Sequence, residues 1–334
     1  MIITKTPFRM SFFGGGTDFP EFFNEYGGSV LSATFDKYCH TVVRHLPRFF
    51  NYSSEFVYTR IERVNSVEQI EHPAIRNAMQ MLDMREIRLS YEADLPARTG
   101  LGTSSSFAVG MLNAFHSLKG TFASKDRLAR EAIHLERNLC GELGGWQDQI
   151  AASFGGLNHI VFEEDDFTVS PVVMKKSRKL QLQDSLLLYF TGFTRFSSEI
   201  QEIAAPQNKT AQLLEMKELV DRAVSVLTDE DVDLDEFGAL LDRAWFLKRG
   251  SSSIVTTDAI DSIYRRALNA GAVGGKLLGA GGGGFLLFYV PEDAKESVKR
   301  NLSDLMRVPF EFESGGTQVV HYAPETYDAS GMWV

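Results

Sequence analysis

Pro96-Ala97-Arg98-Thr99-Gly100-Leu101-Gly102-Thr103-Ser104-Ser105-Ser106 joins two stretches of opposite periodicity. Before it, Ile87-Arg88-Leu89-Ser90-Tyr91-Glu92 alternates apolar and polar side chains, the period of a half-buried strand. After it, Phe107, Met111, Ala114, Phe115 and Leu118 recur at helical spacing. Two glycines let a backbone approach a ligand closely, and a helix N-terminus behind them aims free N–H groups and partial positive charge at it. The hydroxyls of Thr103, Ser104, Ser105 and Ser106 can bond phosphate oxygens or reach a cation. The plainer reading is a turn whose hydroxyls merely cap the helix. The place between strand and amphipathic helix favours a phosphate cradle. It is not a Walker A loop, because GxxxxGK[ST] occurs nowhere in the chain.

The flanking sequence alternates elements in the same way. Residues 125–140 read as a helix with Leu128, Ala132, Leu135 and Leu139 on one face and Gly141 as its stop. Gly144-Gly145 leads into a short helix over 147–154, closed by Gly155-Gly156, and 157–162 reads as a strand. The clusters Glu163-Glu164-Asp165-Asp166 and Lys175-Lys176-Ser177-Arg178-Lys179 flank a domain junction. Beyond it, 186–190 has the apolar run of a buried strand, and two or three helices fill 206–270. Residues 286–290 are again strand-like, 292–305 helical, and 309–312 and 318–322 extended. Strands mixed with helices in both halves predict an α+β architecture of two domains, residues 1–175 and 176–334.

Three further segments could carry chemistry. In Lys276-Leu277-Leu278-Gly279-Ala280-Gly281-Gly282-Gly283-Gly284 the glycines satisfy GxGxxG, but a strand-like run follows where a dinucleotide fingerprint needs a helix. A backbone wall pressed against another loop, with Gly281 and Gly282 facing ligand, fits better. In Arg9-Met10-Ser11-Phe12-Phe13-Gly14-Gly15-Gly16-Thr17-Asp18-Phe19 a glycine turn delivers Asp18, an acceptor-only carboxylate suited to sugar hydroxyls. A turn with a solvated Asp18 is the alternative. Glu136 lies beside the buried stripe of its helix, where an acid wants a partner such as a divalent cation. Asp148 opens a helix, where a simple capping role competes with catalysis.

Composition narrows the partners. At ~150 residues per domain, 334 residues make about two domains, and 44% hydrophobic with 23% charged residues is the balance of a folded globular chain. Lys and Arg number 34 against 44 Asp and Glu, a net charge of −10 that repels nucleic acid and anionic membranes. Cys39 and Cys140 form no CxxC pair, and the seven histidines include no HExxH. With no signal-peptide core after Met1, a cytoplasmic location is expected.

Taken together, the four segments resemble the GHMP superfamily of small-molecule kinases, over nearly the whole chain and in the family's order. Its Pro-x-x-x-Gly-Leu-Gly-Ser-Ser loop is similar to Pro96 through Ser104, with Thr103 in place of a serine, and its carboxy-terminal glycine motif to Lys276 through Gly284. The galactokinase-type opening, an Arg followed nine residues later by the Asp of a Gly-x-x-Thr-Asp turn, is matched by Arg9 and Asp18. A metal-binding Glu twelve residues before the catalytic Asp is matched by Glu136 and Asp148. Within the superfamily, Phe12-Phe13-Gly14-Gly15-Gly16-Thr17-Asp18-Phe19-Pro20 most resembles the bacterial D-glycero-D-manno-heptose 7-phosphate kinases, with fucokinase-type domains next. Gly15 and Gly16 replace a Glu and a His of galactokinase, which argues against galactose.

The resemblance implies a ribosomal protein S5 domain 2-like N-terminal domain and a ferredoxin-like C-terminal domain. It implies ATP on Gly100, Leu101, Gly102, Thr103, Ser104, Ser105 and Ser106, and Mg²⁺ on Ser104 and Glu136. Asp148 accepts the anomeric proton, Arg9 neutralises charge beside it, and Gly15, Gly16, Thr17 and Asp18 orient the sugar. The acceptor is a phosphorylated heptose, whose own phosphate needs a cation; Arg44, Arg98, Arg195, Lys248 and Arg249 are candidates, with Arg195 preferred for its forked guanidinium. A role in making nucleotide-activated heptose is implied, and assembly as a homodimer is left open. Competing readings are a fucokinase-like or other sugar-1-kinase, a sugar- and ATP-binding sensor without turnover, and a decarboxylase of the mevalonate branch.

Overall fold

A computed structural model describes residues 1–97, 99–192, 209–251, 254–279 and 281–324. The architecture is α+β, as expected, with two sheets among the described residues. The first is organised around β1 (Ile2–Phe13) and β2 (Gly28–His45), which pair antiparallel from Ile2 opposite Val43 to Phe13 opposite Leu31. The far edge of β2 is divided among three partners. Residues 28–33 pair with β6 (Leu157–Glu163), Thr34 and Phe35 with β12 (Phe312–Glu313), and residues 39–45 with β5 (Ile87–Ala93). Beyond β5 lie β3 (Ser54–Val57), parallel to it, and β4 (Ile61–Val64); beyond β6 lies β7 (Asp166–Pro171). β13 (Gln318–Tyr322) closes the other edge of β1. The acidic run at 163–166 is the hairpin between β6 and β7, with Glu164 and Asp165 at φ 49° and 58°.

The second sheet has the order β11-β8-β10-β9, from β8 (Leu186–Phe190), β9 (Gly274–Leu277), β10 (Phe285–Tyr289) and β11 (Met306–Val308), all antiparallel. Among the described residues, the helices Thr210–Thr228, Asp235–Ser251 and Asp258–Asn269 intervene between β8 and β9, and Lys295–Asn301 between β10 and β11. That is the split βαβ order of a ferredoxin-like sheet with additional helices. The apolar runs read from sequence, β8 and β10, are its two central strands, where both faces are covered.

One apolar core serves both sheets. Phe8, Met10 and Phe12 of β1 join Leu188, Phe237 and Leu287 in it, and the ring of Phe237 meets those of Phe12 and Phe13 edge-on at 5.5 and 5.2 Å. The helix Thr103–Leu118 buries 13 of its 16 residues, the state of a helix apolar on most of its circumference. Among the described residues no helix is long and apolar enough to cross a membrane.

The helix expected over 125–140 departs from its pattern. It is α-helical only over Lys125–Ile133, then widens into a π turn over His134–Leu139, where Cys140 N–H donates to the Leu135 carbonyl. The wider turn rotates the residues after it, so Leu139, expected on the buried face, is 41% exposed, while Leu135 and Glu136 are both buried. The expected helix over 292–305 is a short 3₁₀ turn followed by a helix that ends at Asn301.

Candidate active site

The glycine-rich loop of the second half is pressed against that of the first. A Cβ on Gly279 would stand 2.1 Å from the Gly100 Cα, and one on Gly100 would stand 2.4 Å from the Leu278 carbonyl oxygen. Both positions have positive φ, 74° and 81°, so glycine is required there by contact and by backbone together. Gly281 and Gly282 belong to the same wall. They pack on Val255, whose carbonyl accepts from Gly282 N–H at 2.9 Å, and do not border the cavity described below.

On the other side of Gly100 stands Arg9, from β1. Its Nη1 donates to the Gly100 carbonyl at 2.7 Å, while Nε and Nη2 donate to Oδ1 and Oδ2 of Asp148 at 2.7 and 2.8 Å. This is the bidentate pairing that a planar guanidinium makes best. Asp148 is the second residue of the helix Gln147–Phe154, after Trp146, and turns its carboxylate to Arg9 instead of capping. A Cβ on Gly102 would lie 3.4 Å from Asp148 Oδ2, so the missing side chain leaves about a methyl's width between the loop and this carboxylate.

The loop residues divide by depth. Leu101 is fully buried and its carbonyl accepts from Arg9 N–H; Thr103 is buried at the first turn of the helix; Ser106 donates to the Pro7 carbonyl from inside. Ser104 is exposed at the cavity rim. Ser105, not Ser104, meets Glu136: its Oγ donates to Oε2 at 2.7 Å, and Gln149 Nε2 donates to the same oxygen at 2.5 Å. Burial pushes the Glu136 carboxyl up to about 8, with Glu142 reinforcing the shift. Gln149 Oε1 is buried without a partner.

The glycine turn of the first segment is held from within. Thr17 Oγ1 donates to the Gly14 and Ser29 carbonyls, so its hydroxyl is engaged inside the turn. Asp18 is buried and accepts from the backbone N–H groups of Gly16 and Gln147 at 2.9 and 3.2 Å. Burial first, then the charge of Asp148, raises its pKa above the usual carboxylate range. Gly145 allows this approach, since a Cβ there would lie 1.9 Å from Asp18 Oδ2.

Arg9, Gly15, Gly16, Asp18, Ser104, Ser105, Glu136 and Asp148 thus border one cavity, which encloses about 1270 Å³ of empty space with its mouth included. Lys248 and Lys276 border it too. The sequence places Lys248 among five cations and offers no sign that Lys276, the head of a glycine motif, is a cavity residue. Gln149 was equally invisible, because its partner Glu136 reaches it only through the π turn. Of the other cations, Arg249 pairs with Asp261 at 2.8 Å and Arg44 does not border the cavity. Arg98 and Arg195 lie outside the described residues.

A two-sheet α+β fold, a glycine loop at a helix start and an Arg-clamped carboxylate beside it define a small-molecule kinase. The chain belongs to the GHMP kinases: the family model for their N-terminal domain matches residues 66–156 and that for their C-terminal domain residues 228–308. It is an ATP-dependent sugar kinase, close to heptose phosphate kinases. It is 30% identical over 327 residues to D-glycero-alpha-D-manno-heptose 7-phosphate kinase of Campylobacter jejuni, covering 90% of this chain and 93% of that one. A solved D-glycero-D-manno-heptose 1-phosphate kinase from Bacteroides thetaiotaomicron superposes with a TM-score of 0.79 at 27% identity, covering 96% and 99%. The L-fucokinase/L-fucose-1-P guanylyltransferase of Bacteroides fragilis is 30% identical over 230 residues, 64% of this chain but 23% of that protein.

Proposed function

We propose that this chain transfers the γ-phosphoryl group of ATP to the anomeric hydroxyl of D-glycero-D-manno-heptose 7-phosphate, giving the 1,7-bisphosphate. The observation that carries the reading is the bridge from Asp148 through Arg9 to Gly100, with the carboxylate facing the space over Gly102, which brings a proton acceptor to the phosphate loop. In the transfer a bond forms between the C1 oxygen and phosphorus as the bond to the nucleotide's bridging oxygen breaks. The hydroxyl proton passes to Asp148. Because the transition state is loose, holding the reactants in line matters more than strong proton abstraction. Asp18, buried beside Asp148, is the sugar-side carboxylate, and Gly15 borders the cavity where a larger side chain would take up acceptor space.

The oxygens that could ligate a cation near Glu136 are its own buried carboxylate, the Ser105 hydroxyl and the unpartnered Oε1 of Gln149, whose Nε2 is spent on that carboxylate. That set suits Mg²⁺, which takes one or two carboxylates and completes its shell with water and phosphate oxygens. Glu136, with Ser104 at the rim, would hold it, and the ion would offset charge on the β- and γ-phosphates. Residues 1–175 would supply loop, acid and sugar turn, and residues 176–334 the opposing wall. Arg195 remains our candidate for the acceptor's 7-phosphate.

The test is ADP release across heptose 7-phosphate, heptose 1-phosphate, fucose, galactose and mannose, with the product's phosphate located by ³¹P NMR. We expect kcat/KM for heptose 7-phosphate to exceed the others by ~10²-fold or more, as a dedicated polar site discriminates. A preference for fucose, or phosphate appearing away from C1, overturns the assignment. Arg195→Ala should erase the preference for phosphorylated over free sugar.

A further inference from the structure

Lys276 on β9 is 4% exposed and borders the cavity that holds Arg9 and Asp148. Its ammonium has three N–H donors, and among the described residues one is accounted for, by the Phe12 carbonyl at 2.7 Å. No described carboxylate forms an ion pair with it. The groups around it are positive instead. Arg9 is one, and its acid partner Asp148 has both oxygens engaged by that guanidinium. Lys248 is the other, donating to the Leu277 carbonyl at 2.9 Å and to the Gly279 carbonyl. Burial and the Arg9 charge bring Lys276 down to about 7; burial, Lys276 and Arg9 hold Lys248 well below the usual lysine range.

A buried cation without an acid is costly unless a ligand supplies the counter-charge. The position of this wall says which ligand. Gly279, three residues beyond Lys276, touches Gly100, and Arg9 donates to the Gly100 carbonyl, so the cations flank the start of the phosphate loop. A sugar phosphate six carbons from C1 would lie away from that junction; a phosphoryl group leaving the nucleotide would lie at it.

We propose that the Lys276 ammonium, with Lys248 beside it, contacts the phosphoryl group in transit between nucleotide and acceptor. This rests on residues 100–106 being the phosphate loop. Lys276 donates hydrogen bonds to the equatorial phosphoryl oxygens and takes no proton from the acceptor, which leaves the bond changes of the transfer unaltered. Fixed donors aimed at developing charge are the largest single source of catalysis in such sites.

The experiment uses the full chain and two variants, Lys276→Met and Lys276→Gln, the second retaining a donor for the Phe12 carbonyl should the first fail to fold. Calorimetry measures binding of Mg-AMP-PNP and Mg-ADP without any sugar. We expect the variants to weaken AMP-PNP by ~10-fold and ADP by less than ~2-fold, because only the former carries the third phosphate. Turnover should fall by ~10²-fold with every acceptor the parent uses, acceptor KM holding within ~3-fold. Equal weakening of both nucleotides, unchanged turnover, or a loss confined to the KM of phosphorylated acceptors overturns the proposal, the last by assigning Lys276 to the acceptor's phosphate. A parent chain that binds AMP-PNP but ignores heptose 7-phosphate sinks the substrate assignment and leaves this test intact.

Discussion

Asp148 is held in a single orientation by two hydrogen bonds from Arg9, and its neighbours decide what each substitution tests. Asp148→Asn preserves size and one acceptor, so nucleotide affinity should remain while turnover drops by ~10²-fold or more. Calorimetry with AMP-PNP beside an ADP-release assay checks this, and near-normal turnover would remove Asp148 from its role. Glu136 gives a pH signature. Its carboxyl titrates near 8 in the fold against an ordinary 4.5, so between those values the unfolded chain has released a proton that the folded chain keeps. Its contribution to stability is therefore complete below about 4.5 and declines as pH rises towards 8. In EDTA, Glu136→Gln should match the parent at pH 5 and exceed it at pH 8.5 by about 1 kcal/mol or more, measured by urea unfolding. Equal pH slopes in the two proteins would refute the assignment. Glu136 and Asp148 are legible in the sequence as acids at a telling spacing. That Ser105 is the hydroxyl bonded to Glu136 is not, because adjacent serines differ only in which way the helix turns them.

At the scale of elements, the π turn at His134–Leu139 and the glycine wall do the positioning. A π turn inserts one residue's worth of rotation, and such bulges gather at functional sites. Helical periodicity alone keeps Glu136 beside the stripe and Leu139 within it; the structure buries the first and exposes the second. The cause is local hydrogen bonding at the i+5 spacing, which apolar spacing does not encode. The wall at Gly279 was legible in outline, as small residues before a strand, but its partner was not. Gly279→Ala adds a methyl 2.1 Å from the Gly100 Cα at a positive φ. We expect nucleotide binding to weaken by ~10-fold or more and the protein to lose about 1–3 kcal/mol. Unaltered AMP-PNP affinity in that variant would mean the two loops need not touch for binding.

For the whole molecule, the shared core implies shared folding. β1 packs under helices of the second half, and β12 and β13 return from residue 312 onward to the first sheet, where Gly316 lies against the Ser153 carbonyl and Thr6 bonds Thr317. Fragments 1–175 and 176–334 expressed apart should each expose apolar surface, bind ANS and melt without cooperativity, whereas the intact chain melts in one transition. Two fragments with sharp melts of their own would show the core to be divisible. Local order is what the amino-acid sequence settled unaided: strand-period and helix-period runs, the glycine loop at a helix start, Arg9 and Asp18 nine residues apart, Glu136 and Asp148 twelve apart, and the α+β class. Each of these depends on neighbours a few residues apart, or on a motif preserved whole. Which residues meet across the chain was decided by the tertiary fold alone. Gly100 against Gly279 and Lys276 beside Arg9 are contacts between distant stretches of the chain, and nothing in periodicity or composition ranks one buried cation above another until packing has chosen which faces the cavity.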